Sequence, residues 1–368
     1  MDLNPTTEQR DLADFAAAFL ARRCPATAVR EAEASAEGFS AALWNEMSDL
    51  GWPAIALPGA GGGIVELAIL AEVMGQFAVP SPLIPGALVA WSILWGGSER
   101  QREGLLPGLA SGKRIATIAL AEPGQHDEWA APKVRGTWTD GHWTLKGVKT
   151  LVPFAGSAHM LIVSADLHGA GRSLVIIDPV LDTIAVRRQK VFGGEPLYEV
   201  RFDGTVVSAD DLLGPPGSAP GLVSRILDHA AALQVCYAVG LAETALKLSV
   251  RHARTREQFG RPIGTFQAVA NRCADMRTSI TACRYLALKA AAKLADNSLD
   301  GTLEVSVAKA YANQQIRQVF MHAHQVHGAI GYSMEYDLQL YTRRAKAFEL
   351  ANGSTSFHRS RVATAIGL

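Results

Sequence analysis

The sequence has no excess of charge of either sign, and it has few cysteines. Lys plus Arg and Asp plus Glu each number 35 among 368 residues, so the formal net charge is zero. This balance gives no bulk electrostatic attraction to nucleic acid or to an anionic membrane surface. The four cysteines are scattered along the chain without the paired spacing of a metal site. We therefore predict buried thiols in an intracellular protein that has no structural metal.

A long apolar run is also missing. The most apolar stretch, PLIPGALVAWSILWGG at 82–97, is shorter than the roughly 20 residues of a membrane span, and Pro82 and Pro85 interrupt it. The polar N-terminal segment MDLNPTTEQRDL has no apolar signal core. We therefore expect a cytoplasmic protein that does not enter the membrane. Its length suffices for two or three packed units.

The remaining chain divides into three regions of different character. Residues 1–112 show helical spacing of apolar residues, beginning at a capping box of Thr6 and Gln9. Residues 113–216 contain six short runs rich in β-branched and aromatic residues, and Asp140-Gly141 between two such runs indicates a β-hairpin. Residues 217–368 contain three long Ala-rich helices with short breaks between them, which indicates an antiparallel bundle. The predicted fold class is α+β, with a central β-barrel or sandwich between two helical domains.

A specific pattern lies in the break between the first two long helices. It reads Arg-Glu-Gln-Phe-Gly-x-Pro-Ile-x-x-Phe-Gln over residues 256–267. Together with the segments 142–163 and 325–359, it resembles the acyl-CoA dehydrogenase family over essentially the whole chain. The resemblance implies a C-terminal four-helix bundle, FAD and an acyl-CoA thioester as ligands, and tetramers built as pairs of dimers. It also implies a reaction in which a glutamate removes the α-proton while the flavin accepts the β-hydride.

The residues that the family uses at the adenine end of FAD are largely present. Resemblance implies that the Arg and Phe of the pattern reach the FAD of a neighbouring subunit. The Arg would offer a charged donor fork to the pyrophosphate, and the Phe an apolar face. A later Gln-x-x-Gly-Gly segment closes on the same pyrophosphate, although Ala329 replaces its second glycine here. The candidate cofactor-binding residues are Arg256, Gln258, Phe259, Gln325, His327 and Gly328.

The residues that the family uses around the flavin ring are largely lost. In the family's Thr-Glu-Pro-Gly-Ala-Gly-Ser-Asp loop, Ala121 replaces the threonine, and Gln125-His126 stand where three residues are usual. The family's Trp-Ile-Thr-Asn strand corresponds to 151–154 here, where the stacking Trp and the hydroxyl are gone and Pro153 has no backbone donor. The loop positions that remain are Glu122, Pro123, Gly124 and Asp127.

The family's catalytic base is missing from both of its usual positions. Asn352 stands before Gly353 in the closing loop, and Ala230 stands where some members carry the base on the first long helix. An amide has no basic form near neutral pH, so it cannot abstract a proton. Glu349 is the one weak candidate for a displaced base, because it lies within one helical turn of Asn352.

Other titratable residues near these positions are weaker candidates. Asp228 is about 200° around the helix from Ala230, and Glu243 lies roughly 20 Å further along the axis, so neither reaches the same point. His327 and His358 are titratable, but packing roles suit them better.

Three hypotheses remain. The first is the non-catalytic subunit of a heteromeric α2β2 acyl-CoA dehydrogenase, whose homologous catalytic partner supplies the ring-binding loops and the glutamate. The resemblance extends to bacterial members that act on CoA thioesters of steroid side chains, with electron-transfer flavoprotein or a similar acceptor. The second is a self-sufficient flavoenzyme with a displaced base such as Glu349, or with a different flavin reaction on the same fold. The third is a scaffold that binds neither flavin nor acyl-CoA.

Overall fold

The three-dimensional structure is a computed structural model that describes residues 4–125 and 130–368. His126 and Asp127, which belong to the expected flavin loop, lie outside the described residues. Helices come first, strands second and long helices third, in the order that the sequence predicts.

The first part of the described chain is helical. Its helices are α1 Thr7–Arg23, α2 Ala26–Ala34, α3 Ala41–Asp49, α4 Ile64–Gln76, α5 Leu83–Gly96 and α6 Glu99–Ala110. The predicted capping box of α1 is confirmed, because Gln9 N donates to Thr6 Oγ1 at 3.2 Å and Thr6 N donates to Gln9 Oε1 at 3.0 Å. The stretch 82–97 forms α5 rather than an interrupted segment. Its two prolines lie at the cap and in the first turn, where a missing N–H breaks no helical hydrogen bond.

The middle of the chain forms one mixed β-sheet. Its strands are β1 Ala116–Ala119, β2 Arg135–Thr139, β3 His142–Pro153, β4 Met160–Leu167, β5 Gly171–Ile177, β6 Ile184–Arg188, β7 Leu197–Val207 and β8 Leu212–Leu213. Their order is β6-β7-β3-β2-β4-β5-β8, and β1 pairs in parallel with β4. Thr150 N donates to Ala121 O at 2.9 Å, which ties β3 to the chain leaving β1. All six predicted runs are strands, and the short strands β2 and β8 complete the sheet.

The hairpin predicted at Asp140-Gly141 is confirmed. Strands β2 and β3 pair antiparallel up to Thr139 and His142, which leaves a two-residue loop. Asp140 and Gly141 have φ of 49° and 85°, the two positive angles that a type I′ turn requires.

The last part of the chain is dominated by long helices. They are α7 Ala219–Thr255, α8 Gln267–Ala295 and α9 Gly301–His327, followed by α10 Leu338–Leu350 and α11 Thr355–Ala365. A small antiparallel hairpin of β9 Glu257–Gln258 and β10 Arg261–Pro262 joins α7 to α8. Among the described residues, α7 is the one helix long and apolar enough to cross a membrane, but 78% of its most apolar window is buried inside the protein. Helix α7 therefore has the surroundings of a core helix.

Helices α4 and α7 cross in direct backbone contact. A Cβ on Gly75 would lie 1.9 Å from the carbonyl oxygen of Tyr237, and a Cβ on Gly240 would lie 1.9 Å from that of Glu72. No side chain fits at either position, so the two glycines set the distance between the N-terminal helices and the bundle. One continuous apolar core runs through this crossing from α1 to α10.

The thiols are mostly buried, as the sequence predicts. Cys24, Cys236 and Cys283 are buried, whereas Cys273 is only half-buried on α8, so the prediction is wrong for that residue. In the described part of the chain, no group of three or more His, Cys, Asp or Glu side chains could hold a metal ion.

The helix crossing gives a stability prediction. Gly240→Ala should lower the free energy of unfolding by about 1–3 kcal/mol or more, because the added methyl group overpacks a backbone contact. Gly104→Ala in α6 is the matched control, since a Cβ there meets nothing within 4 Å. That change should raise the free energy of unfolding by about 0.5–1 kcal/mol. Urea unfolding followed by circular dichroism measures both, and equal effects would refute the tight crossing.

Candidate functional site

A large cavity lies where the three regions of the chain meet. Its volume is about 800 Å³, within the range of roughly 300–1,000 Å³ that is usual for ligand pockets. Helices α5, α7 and α10, the ends of β1 and β3, and the segment between β6 and β7 form its walls. The lining residues used below are Ile84, Thr117, Ala121, Leu151, Pro153, Glu195, Ala230, Gln234, Tyr237, Arg344, Lys346 and Asn352.

The loop after α10 brings Asn352 to the cavity. Asn352 is buried, and its backbone has φ of 51°, a left-handed conformation that Asn tolerates better than most residues. Its carbonyl oxygen lies 2.8 Å from Nε2 of the buried His358, and Asn313 Nδ2 donates to Gly353 O at 3.3 Å. Lys309 Nζ in turn donates to Asn313 Oδ1 at 2.8 Å. A buried polar network therefore fixes this loop, and Asn352, which stands where the resemblance predicts the family's carboxylate, lines the cavity.

The second base position is equally without a carboxylate. Ala230 lines the cavity on α7 together with Gln234 and Tyr237, one and two helical turns further on. Asp228 does not line it: both of its carboxylate oxygens accept from Arg361, at 2.8 and 3.2 Å. The helical spacing predicts that Asp228 lies on the other side of α7 from Ala230. On that side, Asp228 forms an ion pair with Arg361.

Neither of the other candidate carboxylates reaches the cavity. Glu349 is half-buried on α10 and is not itself part of the cavity wall, but its Oε2 is 3.0 Å from Nζ of Lys346, which does line the cavity. A role for Glu349 as a displaced base therefore stays a prediction. Glu243 is held by Arg277 and Arg284, with nitrogen–oxygen distances of 2.9 and 3.0 Å.

The sequence reasoning missed the titratable groups that do line the cavity. Among the described lining residues, Glu195 is the one with a carboxylate, and burial raises its pKa while the charge of Arg344 opposes that rise. Glu195 lies in an irregular segment that carries no periodic signal. Arg344 is 1% exposed, and it interrupts an otherwise apolar stripe on α10. A charged residue on a buried helix face is a signal that could have been used.

The positions expected around a flavin ring lack its hydrogen-bond partners. Ala121, Leu151 and Pro153 all line the cavity, but they offer no side-chain hydroxyl, and Pro153 has no N–H. The retained Glu122 faces away from the cavity into the sheet. It accepts from Lys149 Nζ at 2.5 Å, and desolvation lowers the pKa of this buried lysine to about 8 against the opposing effect of Glu122. Glu122 therefore anchors the loop.

The expected adenine-end residues lie far from this cavity wall, at one end of the bundle. Arg256, Gln258 and Phe259 belong to the β9–β10 hairpin, and all three are exposed. Phe259 has φ of 54° and is 92% exposed, so a large aromatic ring stands in solvent. The Gln258 side chain donates to the neighbouring Glu257 O at 2.8 Å.

The C-terminal end of α9 meets this hairpin. Helices α7 and α9 both end here, and the rings of His252 and His327 stack with centroids 4.7 Å apart. Gln325 and Gly328 are exposed, whereas His327 is buried, with Nδ1 2.8 Å from Ala323 O. The structure therefore brings the two predicted segments to the same end, but it gives His327 a packing position below the surface.

Comparison with known proteins identifies the fold. Residues 6–113 match the acyl-CoA dehydrogenase N-terminal domain, and residues 221–367 match the acyl-CoA dehydrogenase C-terminal domain. Benzylmalonyl-CoA dehydrogenase of Aromatoleum aromaticum is 30% identical over 369 residues, with 97% of each chain covered. The chain belongs to the acyl-CoA dehydrogenase family.

Two solved structures of this family are complexes. A variant of the steroid acyl-CoA dehydrogenase Tcur3481–Tcur3483 has 30% sequence identity and a TM-score of 0.88, with 98% of this chain and 97% of that chain covered. The ChsE4–ChsE5 complex from Mycobacterium tuberculosis has 25% identity and a TM-score of 0.90, with 100% and 99% covered. The expected architecture of helical domain, sheet and helical domain is confirmed by this match.

Acyl-CoA dehydrogenases are FAD flavoproteins. The cavity of this chain does not fit a flavin ring in the way the family holds it. Its ring-facing positions carry an alanine, a leucine and a proline, and its two base positions carry Asn352 and Ala230. The donors that would suit a diphosphate and an adenine stand outside, on the exposed hairpin.

The buried His358 predicts an acid-sensitive fold. Burial lowers the pKa of His358 to about 4, whereas an unfolded chain binds this proton near pH 6.5. Acidification between those values favours the unfolded state, so stability is lost as the pH falls, by about 2 kcal/mol at pH 5 for this ring. His358→Gln should lose less stability than wild type between pH 7.5 and 5 in urea unfolding. The exposed His168→Gln should keep the wild-type dependence, and an unchanged slope in His358→Gln would contradict the assignment.

Proposed function

We propose that this chain is the non-catalytic subunit of a heteromeric acyl-CoA dehydrogenase. The observation that carries the proposal is the cavity itself, which keeps the size of a ligand site while both base positions are occupied by Asn352 and Ala230. Removal of the α-proton from an acyl-CoA thioester needs a positioned base. A homologous catalytic subunit would supply that base and the ring-binding loops.

The exposed hairpin supports a role in the partner's site. Arg256 and Phe259 project from the end of the bundle, and Gln325 and Gly328 lie at the same end. A large exposed aromatic ring is unfavourable on a solitary surface, and together with an exposed guanidinium it suits an adenine ring and a diphosphate presented by a neighbour. In this proposal the FAD site is shared across the interface. Residues 217–368 carry the interface, and residues 1–112 and 113–216 form the other two domains.

The structural relatives support a heteromer of this kind. Two of them are two-protein complexes by name, and one is described as a steroid acyl-CoA dehydrogenase. We therefore propose an α2β2 heterotetramer in the cytoplasm that desaturates an acyl-CoA thioester, with a steroid side chain as the acyl group. Electron-transfer flavoprotein or a similar acceptor would reoxidise the complex.

Co-expression tests this proposal. The partner should be a family member with Thr-Glu-Pro, Trp-x-Thr and a glutamate base, encoded beside this chain. The chain purified alone should lack flavin absorbance and acyl-CoA-dependent bleaching, because it cannot hold the ring or remove the proton. The co-purified complex should show both, with about one FAD for each pair of different subunits. A flavin-loaded, active homo-oligomer of this chain alone would refute the proposal.

The shared cofactor site gives a second prediction. Arg256→Ala in the co-expressed complex should weaken FAD binding by about 10- to 100-fold, because a charge-assisted contact is lost. The measurement is FAD released during gel filtration and titrated back by fluorescence quenching. Arg201→Ala, on an exposed position of β7 far from the hairpin, is the control and should bind FAD as wild type does. Equal FAD affinity in both variants would remove Arg256 from the site.

A further inference from the structure

The cavity contains buried polar atoms that have no hydrogen-bond partner among the described residues. These atoms are Thr117 Oγ1, Gln234 Oε1, and Nε and Nη2 of Arg344. All three residues line the same cavity. A buried polar atom without a partner costs about 1–3 kcal/mol. Their convergence on one space indicates that a bound molecule completes them.

The free donors of Arg344 have a recognisable geometry. Its Nη1 is occupied, because it donates to Leu340 O at 3.3 Å and lies 2.6 Å from Glu33 Oε1. The two unpartnered nitrogens, Nε and Nη2, form one edge of the planar guanidinium. Two parallel N–H groups on one edge match the two oxygens of a carboxylate in a side-on, bidentate pair.

The charges near Arg344 leave room for an added anion. Glu33 does not belong to Arg344 alone, because its other oxygen accepts from Arg343 Nη2 at 2.8 Å. Two guanidinium groups therefore share one carboxylate. Glu195 is the remaining nearby carboxylate, and burial raises its pKa while the charge of Arg344 opposes that rise.

The rest of the cavity suits an apolar body. Apart from the polar groups named above, its walls are formed largely by side chains such as Ile84, Leu88, Ile118, Leu151 and Phe154. A volume of about 800 Å³ accommodates a long alkyl chain or a fused-ring skeleton.

We propose that this cavity is a binding site for an apolar molecule with a terminal carboxylate, which pairs with the free edge of Arg344 and is held without being turned over. The inference rests on the proposed function only in that the cavity performs no proton abstraction. It goes beyond that function because it assigns a separate ligand to the non-catalytic subunit. The carboxylate end lies at α10, and the apolar body extends along α5 and β1.

Fluorescence competition tests the site. The probe is cis-parinaric acid, an 18-carbon fluorescent fatty acid, added to the full chain or to the complex with its partner. Competitors are dodecanoic acid and dodecan-1-ol, which share a chain and differ in the carboxylate. The acid should compete about tenfold or more better than the alcohol, because only the acid can form the bidentate pair. 5β-Cholanic acid, a fused-ring acid, then shows which apolar shape is preferred.

Variants separate the carboxylate contact from simple filling of space. Arg344→Gln should abolish the preference for acid over alcohol, and Arg344→Lys should reduce it, since a lysine keeps the charge but not the fork. Arg343→Gln is the matched control: it neighbours Arg344 and binds the same Glu33 but does not line the cavity, so it should keep the preference. Glu195→Gln should strengthen binding of the acid and leave that of the alcohol unchanged. Ile84→Trp should block both competitors by filling the cavity.

Two results would overturn the proposal. Equal competition by acid and alcohol in wild type would mean that the polar atoms bind water only. A retained acid preference in Arg344→Gln would place the carboxylate elsewhere. In the complex, the difference between wild type and Arg344→Gln isolates this subunit from the partner's own pocket. The readout needs no flavin, so an active flavin-containing homo-oligomer would refute the proposed function without deciding this site.

Discussion

The contact between α4 and α7 at Gly75 and Gly240 is the constraint on which the other features depend. Because the backbones of α4 and α7 are in contact there, the distance between the N-terminal helices and the bundle is fixed. One face of α7 then lines the space beside α5 and the sheet. This face carries Ala230, Gln234 and Tyr237. The cavity exists because three units are anchored around it, and its walls come from segments distant in sequence.

Around that cavity, the expected base positions differ from the polar residues that hold the closing loop. Among the described residues, the two expected base positions carry Asn352 and Ala230, whereas the polar framework that holds the closing loop is fully hydrogen-bonded. This framework consists of buried side chains. Lys309 donates to the side chain of Asn313, which donates to the loop backbone at Gly353 O. The ring of His358 is hydrogen-bonded to the loop backbone at Asn352 O. A fully hydrogen-bonded buried network keeps this loop in one defined shape, as an interface or a ligand site requires.

Much of the fold could be predicted from the sequence, because its signals are local. The capping box of Thr6, the turn at Asp140-Gly141 and the three long helices each follow from a few neighbouring residues. The missing base positions could be predicted as well, since they lie in recognisable motifs. The contents of the cavity could not be. Glu195 comes from an irregular segment, Thr117 from a short strand, and Arg344 from a helix, and only tertiary packing brings them together.

The backbone at Asn352 has a consequence for any attempt to restore activity. A left-handed residue costs an ordinary L-amino acid roughly 1–2 kcal/mol, and Asn is one of the few side chains that relieves the cost. A glutamate introduced there alone would start from a strained backbone, beside ring positions that offer no partners. The side chain at position 352 is therefore matched to the backbone conformation of this loop, so a glutamate there would need compensating changes in the loop as well.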